Sequence, residues 1–128
     1  MSIDNLKILV VEDEPLLLEA IGEKLDKEGI EAILCPSGEK ALEHISGDVE
    51  LPDAIWLDYY LKDMNGLAFM DKVRQNPQWQ DIPVIVVSNS ANAQKVNTML
   101  ALGVKKYLLK AEYRLEDIVD IIRQLKAS

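Results

Sequence analysis

The sequence predicts an α/β fold: a doubly wound, five-stranded parallel sheet with a helix after each strand. Three observations predict it. Five short apolar runs recur along the chain: Ile8–Val11, Ala32–Cys35, Ala54–Leu57, Val84–Val87 and Tyr107–Leu109. Each is continuous rather than alternating, as expected of strands buried on both faces of a parallel sheet. Stretches with apolar residues at helical period lie between them, and a strand–helix alternation repeated five times fits right-handed βαβ units.

The first run ends in Glu12-Asp13-Glu14. Pro15 then fits an early helical position, followed by the stripe Leu17, Ala20, Ile21 and Leu25 and a stop at Gly29. The second run ends in Cys35-Pro36-Ser37; Ala41, Leu42 and Ile45 form the next stripe, closed by Gly47. The third ends in a lone carboxylate, Asp58, ahead of the stripe Leu67, Met70 and Val73. The fourth ends in Ser88-Asn89-Ser90, followed by Val96, Met99 and Leu100 and a stop at Gly103. The fifth ends in Lys110, ahead of the clearest stripe, Leu115, Ile118, Ile122 and Leu125.

Composition narrows the function classes. A chain of 128 residues fits a single domain spanning 1–128, and a 48% hydrophobic share supports a packed core. A net charge of −8 repels a phosphate backbone, so no direct nucleic-acid partner is expected. One cysteine, Cys35, permits neither an internal disulfide nor a thiolate metal cluster and reads as a small buried residue. The N-terminal "MSIDNLK" has no apolar leader and no run reaches membrane-spanning length, so a soluble cytoplasmic protein is expected, with no membrane association. With no output domain after the last helix of this sequence, two readings stand open: a single-domain regulator that acts by docking, or a piece of a longer protein.

In doubly wound sheets, ligands sit outside the carboxyl ends of the strands. If strands one, three, four and five are neighbours, Glu12, Asp13 and Asp58 crowd together. Two carboxylates about 4 Å apart at an effective dielectric near 20 repel by roughly 4 kcal/mol. Such a cluster must protonate, spread or hold a cation, and an oxygen-only donor set suits Mg2+. With a phosphoryl group placed there, Asp58 is a carboxylate nucleophile, Lys110 a point charge for a phosphoryl oxygen and Ser88 a hydroxyl donor.

These residues, in this order, resemble the receiver domain of two-component response regulators over nearly the whole chain. The anchors are the acidic pair Glu12-Asp13, Asp58, Ser88 after "VIVV", Lys110 after "KYLL", and Tyr107 at the family's switch aromatic; "Met64-Asn65-Gly66" resembles the loop after the acceptor. The resemblance implies a flavodoxin-like strand order 2-1-3-4-5. It implies that a histidine kinase or phosphotransfer protein donates a phosphoryl group to Asp58. It implies Mg2+ held by Asp13, Asp58 and the backbone carbonyl of Tyr60, with Glu12 acting through water. It further implies that Ser88 moves inward, Tyr107 rotates, and the surface of the fourth helix, fifth strand and fifth helix meets an output protein or domain. The same face leaves open a phosphorylation-linked homodimer. Such a chain is a signalling module rather than an enzyme.

The sequence departs from the family's pattern at four places. Ala111 follows Lys110 where a cis proline is common; a cis non-proline bond costs about 3 kcal/mol, so a trans bond or an unusual geometry is expected there. Lys62 stands where the loop after Asp58 often has proline. Asn89 is larger than the usual small residue beside the phosphoryl site, and Tyr60 is bulky at a position overlooking the acceptor. Both are expected to restrict water at the phosphoryl group.

Plainer roles exist for single residues. Asp13 could cap the helix at Pro15, Ser88 could be a turn residue and Lys110 a surface cation. His44, on a polar-faced helix, is expected to be inert; Trp79, in "NPQWQDIP", is expected to pack at a loop edge; Tyr113 is either a partner contact or a lid over the fifth loop. Among whole functions, a pseudo-receiver that only binds has no need of Asp58 opposite Lys110. An aspartyl phosphatase typically carries a second Asp where Tyr60 stands. A flavodoxin-like cofactor binder needs a phosphate loop where Glu12-Asp13-Glu14 has the wrong charge.

Overall fold

The computed structural model describes residues 5–47 and 50–127. Residues 1–4, part of the stretch read above as lacking a leader, lie outside the described residues. The elements run β1 (Lys7–Val11), α1 (Pro15–Lys27), β2 (Glu31–Cys35), α2 (Gly38–Ser46), β3 (Ala54–Asp58), α3 (Gly66–Gln75), β4 (Val84–Ser88), α4 (Ala93–Ala101), β5 (Lys106–Leu109), a 3-10 turn (Lys110–Glu112) and α5 (Leu115–Ala127). The five strands pair in parallel, in the order β2-β1-β3-β4-β5 that the resemblance implied. Among the described residues, no helix is long and apolar enough to cross a membrane.

The pleat divides each apolar run between two cores. Leu9, Ile55, Leu57 and Val86 face α2, α3 and α4 through Ala41, Phe69, Met70 and Met99. Ile8, Val10, Trp56 and Ile85 face α1 and α5 through Ile21, Leu25, Ile118 and Ile122. Every residue of β3 and β4 is buried, which is why those runs admit no polar residue before their last position.

Helix ends follow local chemistry. Ser37, Asn65 and Asn92 cap α2, α3 and α4 by accepting from the amides of Lys40, Ala68 and Lys95. Gly29 and Gly103 end their helices at φ of 75° and 96°, where a side chain would be strained. Pro15 opens α1 as expected; Glu14 is the cap residue and makes no side-chain cap bond, so Asp13 is not the helix cap.

Four burial expectations are corrected. β2 and β5 are edge strands, not buried on both faces: Leu34 is 41% exposed, and only Cys35 in β2 and Leu108 in β5 are buried. Leu67 and Leu100 point outward, 40% and 44% exposed; Phe69 supplies the inner contact of α3 that the Leu67 stripe assigned elsewhere. Trp79 is core, 1% exposed, because the turn after α3 folds it under the sheet rather than along a loop edge. His44 is half-buried, edge-on to Trp79 at 6.5 Å, so its helix face is not wholly polar.

Candidate functional site

Parallel pairing brings the strand ends side by side. Val11 pairs with Leu57, Asp58 with Val87 and Ser88 with Leu109. Glu12, Asp58, Ser88 and Lys110 therefore meet on one carboxyl rim, at the point where β1 is flanked by β2 on one side and β3 on the other.

Three of these polar residues are buried: Glu12 at 1% exposure, Asp58 at 6% and Ser88 at 0%. A carboxylate oxygen from each of Glu12, Asp13 and Asp58 lies within 4.8 Å of the others. Lys110 reaches across them: its Nζ is 3.0 Å from Glu12 Oε1 and 3.5 Å from Asp58 Oδ2. The second oxygen of Glu12 accepts from the Glu14 amide at 3.1 Å. Asp13 Oδ2 accepts from the Lys62 amide at 2.5 Å, so the carboxylate that could have capped α1 holds the β3–α3 loop instead.

Burial and the neighbouring Glu12 charge push the Asp58 carboxyl up to about 7, against the pull of Lys110. For Lys110, burial works to lower the pKa, but Glu12 and Asp58 outweigh it and the net direction is upward. One ammonium thus contacts two carboxyl groups of a cluster of three. The cluster retains excess negative charge, and its donors are all oxygen, with no histidine or thiolate. That chemistry fits a hard divalent cation.

The remaining predicted residues surround this centre. The Tyr107 hydroxyl donates to the Ser90 carbonyl at 2.9 Å, and its half-buried ring lies tilted against Tyr59 at 6.2 Å. Burial raises the Tyr107 pKa, with the Ser88 hydroxyl working against it. Asn89 is exposed beyond the end of β4, and Tyr60 is 48% exposed on the loop after Asp58. Described peptide bonds include no cis bond, so Lys110–Ala111 is trans, as expected where alanine replaces proline. Tyr113 is half-buried and, with Glu12, Trp56 and Lys110, lines a cavity of about 250 Å³ between α1 and α5.

Two features escaped the sequence reading. Lys95, on α4, stands over both tyrosines, 4.3 Å from the Tyr60 ring centroid and 5.0 Å from that of Tyr59. Asp63 reaches the N-terminus of α2. Neither carries a local signal, since each pairs residues more than 20 positions apart.

Residues 8–123 match the family model of the response regulator receiver domain. The chain belongs to this family. Among curated relatives it is 30% identical over 106 residues to the chemotaxis protein CheY1 of Helicobacter pylori, spanning 82% of this chain and 85% of that one. It is 32% identical over 115 residues to the signal transduction histidine-protein kinase BarA of Escherichia coli K12, covering 88% of this chain but 12% of BarA. Among solved structures, a CheY-like receiver domain protein from Methanospirillum hungatei superposes with a TM-score of 0.86 at 22% identity, over 97% of this chain and 95% of that one. The receiver domain of the sensor histidine kinase PA1611 from Pseudomonas aeruginosa superposes at 0.83 with 23% identity, over 97% and 99%; that structure has a magnesium ion coordinated in its active-site cleft. At these identities the superpositions establish the receiver fold, and the family match establishes a receiver domain of two-component systems.

Proposed function

We propose that this receiver domain accepts a phosphoryl group on Asp58 and that the transfer depends on Mg2+. The observation that carries the reading is the position of Lys110 Nζ between Glu12 and Asp58, with three carboxylate oxygens within 4.8 Å on one rim. Asp13, Asp58 and the Tyr60 carbonyl would hold the ion directly, and Glu12 through water. When bound, the ion neutralises charge on the phosphoryl oxygens.

Asp58 supplies the nucleophile. An Asp58 carboxylate oxygen bonds to phosphorus as the donor's phosphorus–nitrogen bond breaks; the imidazole keeps the bonding pair and takes up a proton. The product is an acyl phosphate. A histidine kinase or a histidine phosphotransfer protein is the donor. Lys110 leaves Asp58 for a phosphoryl oxygen, and the Ser88 hydroxyl donates to another. Ser88 and Tyr107 then bias the surface of α4, β5 and α5 toward an output partner or a second copy of the chain, a two-state element tipped by local charge. Tyr60 occupies the place of a second acid, which supports a signalling role over turnover of an external substrate. A cytoplasmic location follows from a kinase donor.

Incubation with phosphoramidate or acetyl phosphate and Mg2+ tests this. Wild type should gain one phosphoryl mass, and Asp58→Asn none. A wild-type chain that binds partners without ever gaining that mass would be a binding-only receiver.

A further inference from the structure

Of the groups around the phosphoryl site, Asp63 has no part in the chemistry above, yet both its carboxylate oxygens are committed. Oδ1 accepts from the Gly38 amide at 3.1 Å and Oδ2 from the Glu39 amide at 2.8 Å, residues 25 and 24 positions away. These amides open α2, where unpaired N–H groups favour an anion. Ser37 takes the third amide, Lys40, so the first turn of α2 is satisfied partly from its own chain and partly from the β3–α3 loop. Met64 adds a packing contact: a Cβ built on Gly38 would stand 2.6 Å from its Sδ.

The loop that Asp63 anchors is the one that follows the acceptor. Its opposite side is held by Asp13, through the Lys62 amide at 2.5 Å. Internally, the Leu61 amide donates to Met64 O at 3.1 Å and the Gly66 amide to Tyr59 O at 2.7 Å. Residues 59–66 are thus fastened to the β1 rim on one side and to α2 on the other. The backbone between these fastenings includes Tyr60.

We propose that Asp63 is a positioning residue of the phosphoryl site: it ties the loop carrying the Tyr60 carbonyl to the N-terminus of α2, so that occupation of the metal site and order in the first turn of α2 are coupled. This rests on the reading that Mg2+ binds at Asp13, Asp58 and Tyr60. Asp63→Asn leaves only one acceptor oxygen and removes the charge; Asp63→Ala removes both bonds. Ser37→Ala weakens the same helix end without touching the loop. Groups bonded directly to metal ligands cost about 10–100-fold in affinity when removed; Asp63 acts one step further out, through the loop backbone, so the low end of that range is the expected size.

The experiment is a Mg2+ titration followed by tryptophan fluorescence on wild type and the three variants, with amide hydrogen exchange at Gly38 and Glu39 of wild type, with and without Mg2+. Expected are about tenfold weaker Mg2+ binding in both Asp63 variants, binding within about twofold of wild type in Ser37→Ala, and slower exchange at the two amides with Mg2+, as reciprocity of coupling requires. Folded Asp63 variants that bind Mg2+ like wild type would overturn the proposal. So would an equal loss in Ser37→Ala, which would make the effect one of helix stability. Exchange unchanged by Mg2+ would overturn it without recourse to any variant. A wild type that binds no Mg2+ would bring down the functional reading and this inference together, whereas a wild type that binds Mg2+ with indifferent Asp63 variants would bring down the inference alone.

Discussion

The Lys95 ammonium lies 4.3 Å from the centre of the Tyr60 ring, two residues beyond Asp58, and joins α4 to the loop after β3. Tyr60 also packs edge-on against Tyr59 at 4.9 Å, and Tyr59 against Tyr107. The bulky ring beside Asp58 thus packs under a cation on one side and against Tyr59 on the other.

Phosphoryl lifetime should respond to this arrangement. Exposed cation–π contacts contribute about 0.5–1 kcal/mol, so Lys95→Ala should speed dephosphorylation by roughly two- to fivefold if the held ring restricts water. Tyr60→Asn and Asn89→Ala should each speed it as well. The decay of the acyl phosphate after donor removal measures this; rates equal to wild type in all three variants would rule out water restriction.

Stability should rise when Asp58 loses its charge. Its buried carboxyl faces Glu12 and Asp13, offset by the Lys110 ammonium and a long hydrogen bond from the Tyr60 amide at 3.4 Å. Asp58→Asn should stabilise the metal-free protein by about 1 kcal/mol at pH 8, within the range of about 0.5–2 kcal/mol common for single stabilising substitutions. Added Mg2+ should stabilise wild type and leave the variant nearly unmoved, since binding to the native state alone raises stability. Thermal melts with and without Mg2+ check both statements.

Cys35 should be silent in the folded protein. Its thiol is 5% exposed and burial pushes its pKa up to about 11. At pH 8 an unfolded cysteine is roughly one-quarter thiolate, whereas the folded one is almost wholly protonated. A disulfide reagent should therefore react slowly until denaturant is added. The folded pKa is raised, so this group's contribution to stability is full below the unfolded pKa near 8.5 and is lost as pH rises toward 11.

The fold was legible because β1, β3 and β4 are covered on both faces, and that cover leaves unbroken apolar runs in the sequence. β2 and β5 misled because their runs are as apolar as those of the central strands, while each has a sheet neighbour on one side alone. The candidate site was legible where chemistry sits at a strand end: Glu12, Asp58, Ser88 and Lys110 each follow directly from an apolar run, and Asp13 stands one residue further on. Lys95 and Asp63 were not legible, because a helix-surface lysine and a loop aspartate have their usual meaning in sequence and gain another only from what lies opposite. Trp79 was hidden for the same reason, its burial being decided by a turn rather than by a periodic element.

The central claim is that Asp58 carries the phosphoryl group, and the most direct measurement locates it. After phosphorylation with phosphoramidate and Mg2+, borohydride reduction converts an aspartyl phosphate to homoserine, which peptide mass spectrometry can place. Homoserine at position 58 and nowhere else is the predicted result; homoserine at another aspartate, or none from a protein that has gained a phosphoryl mass, would contradict it.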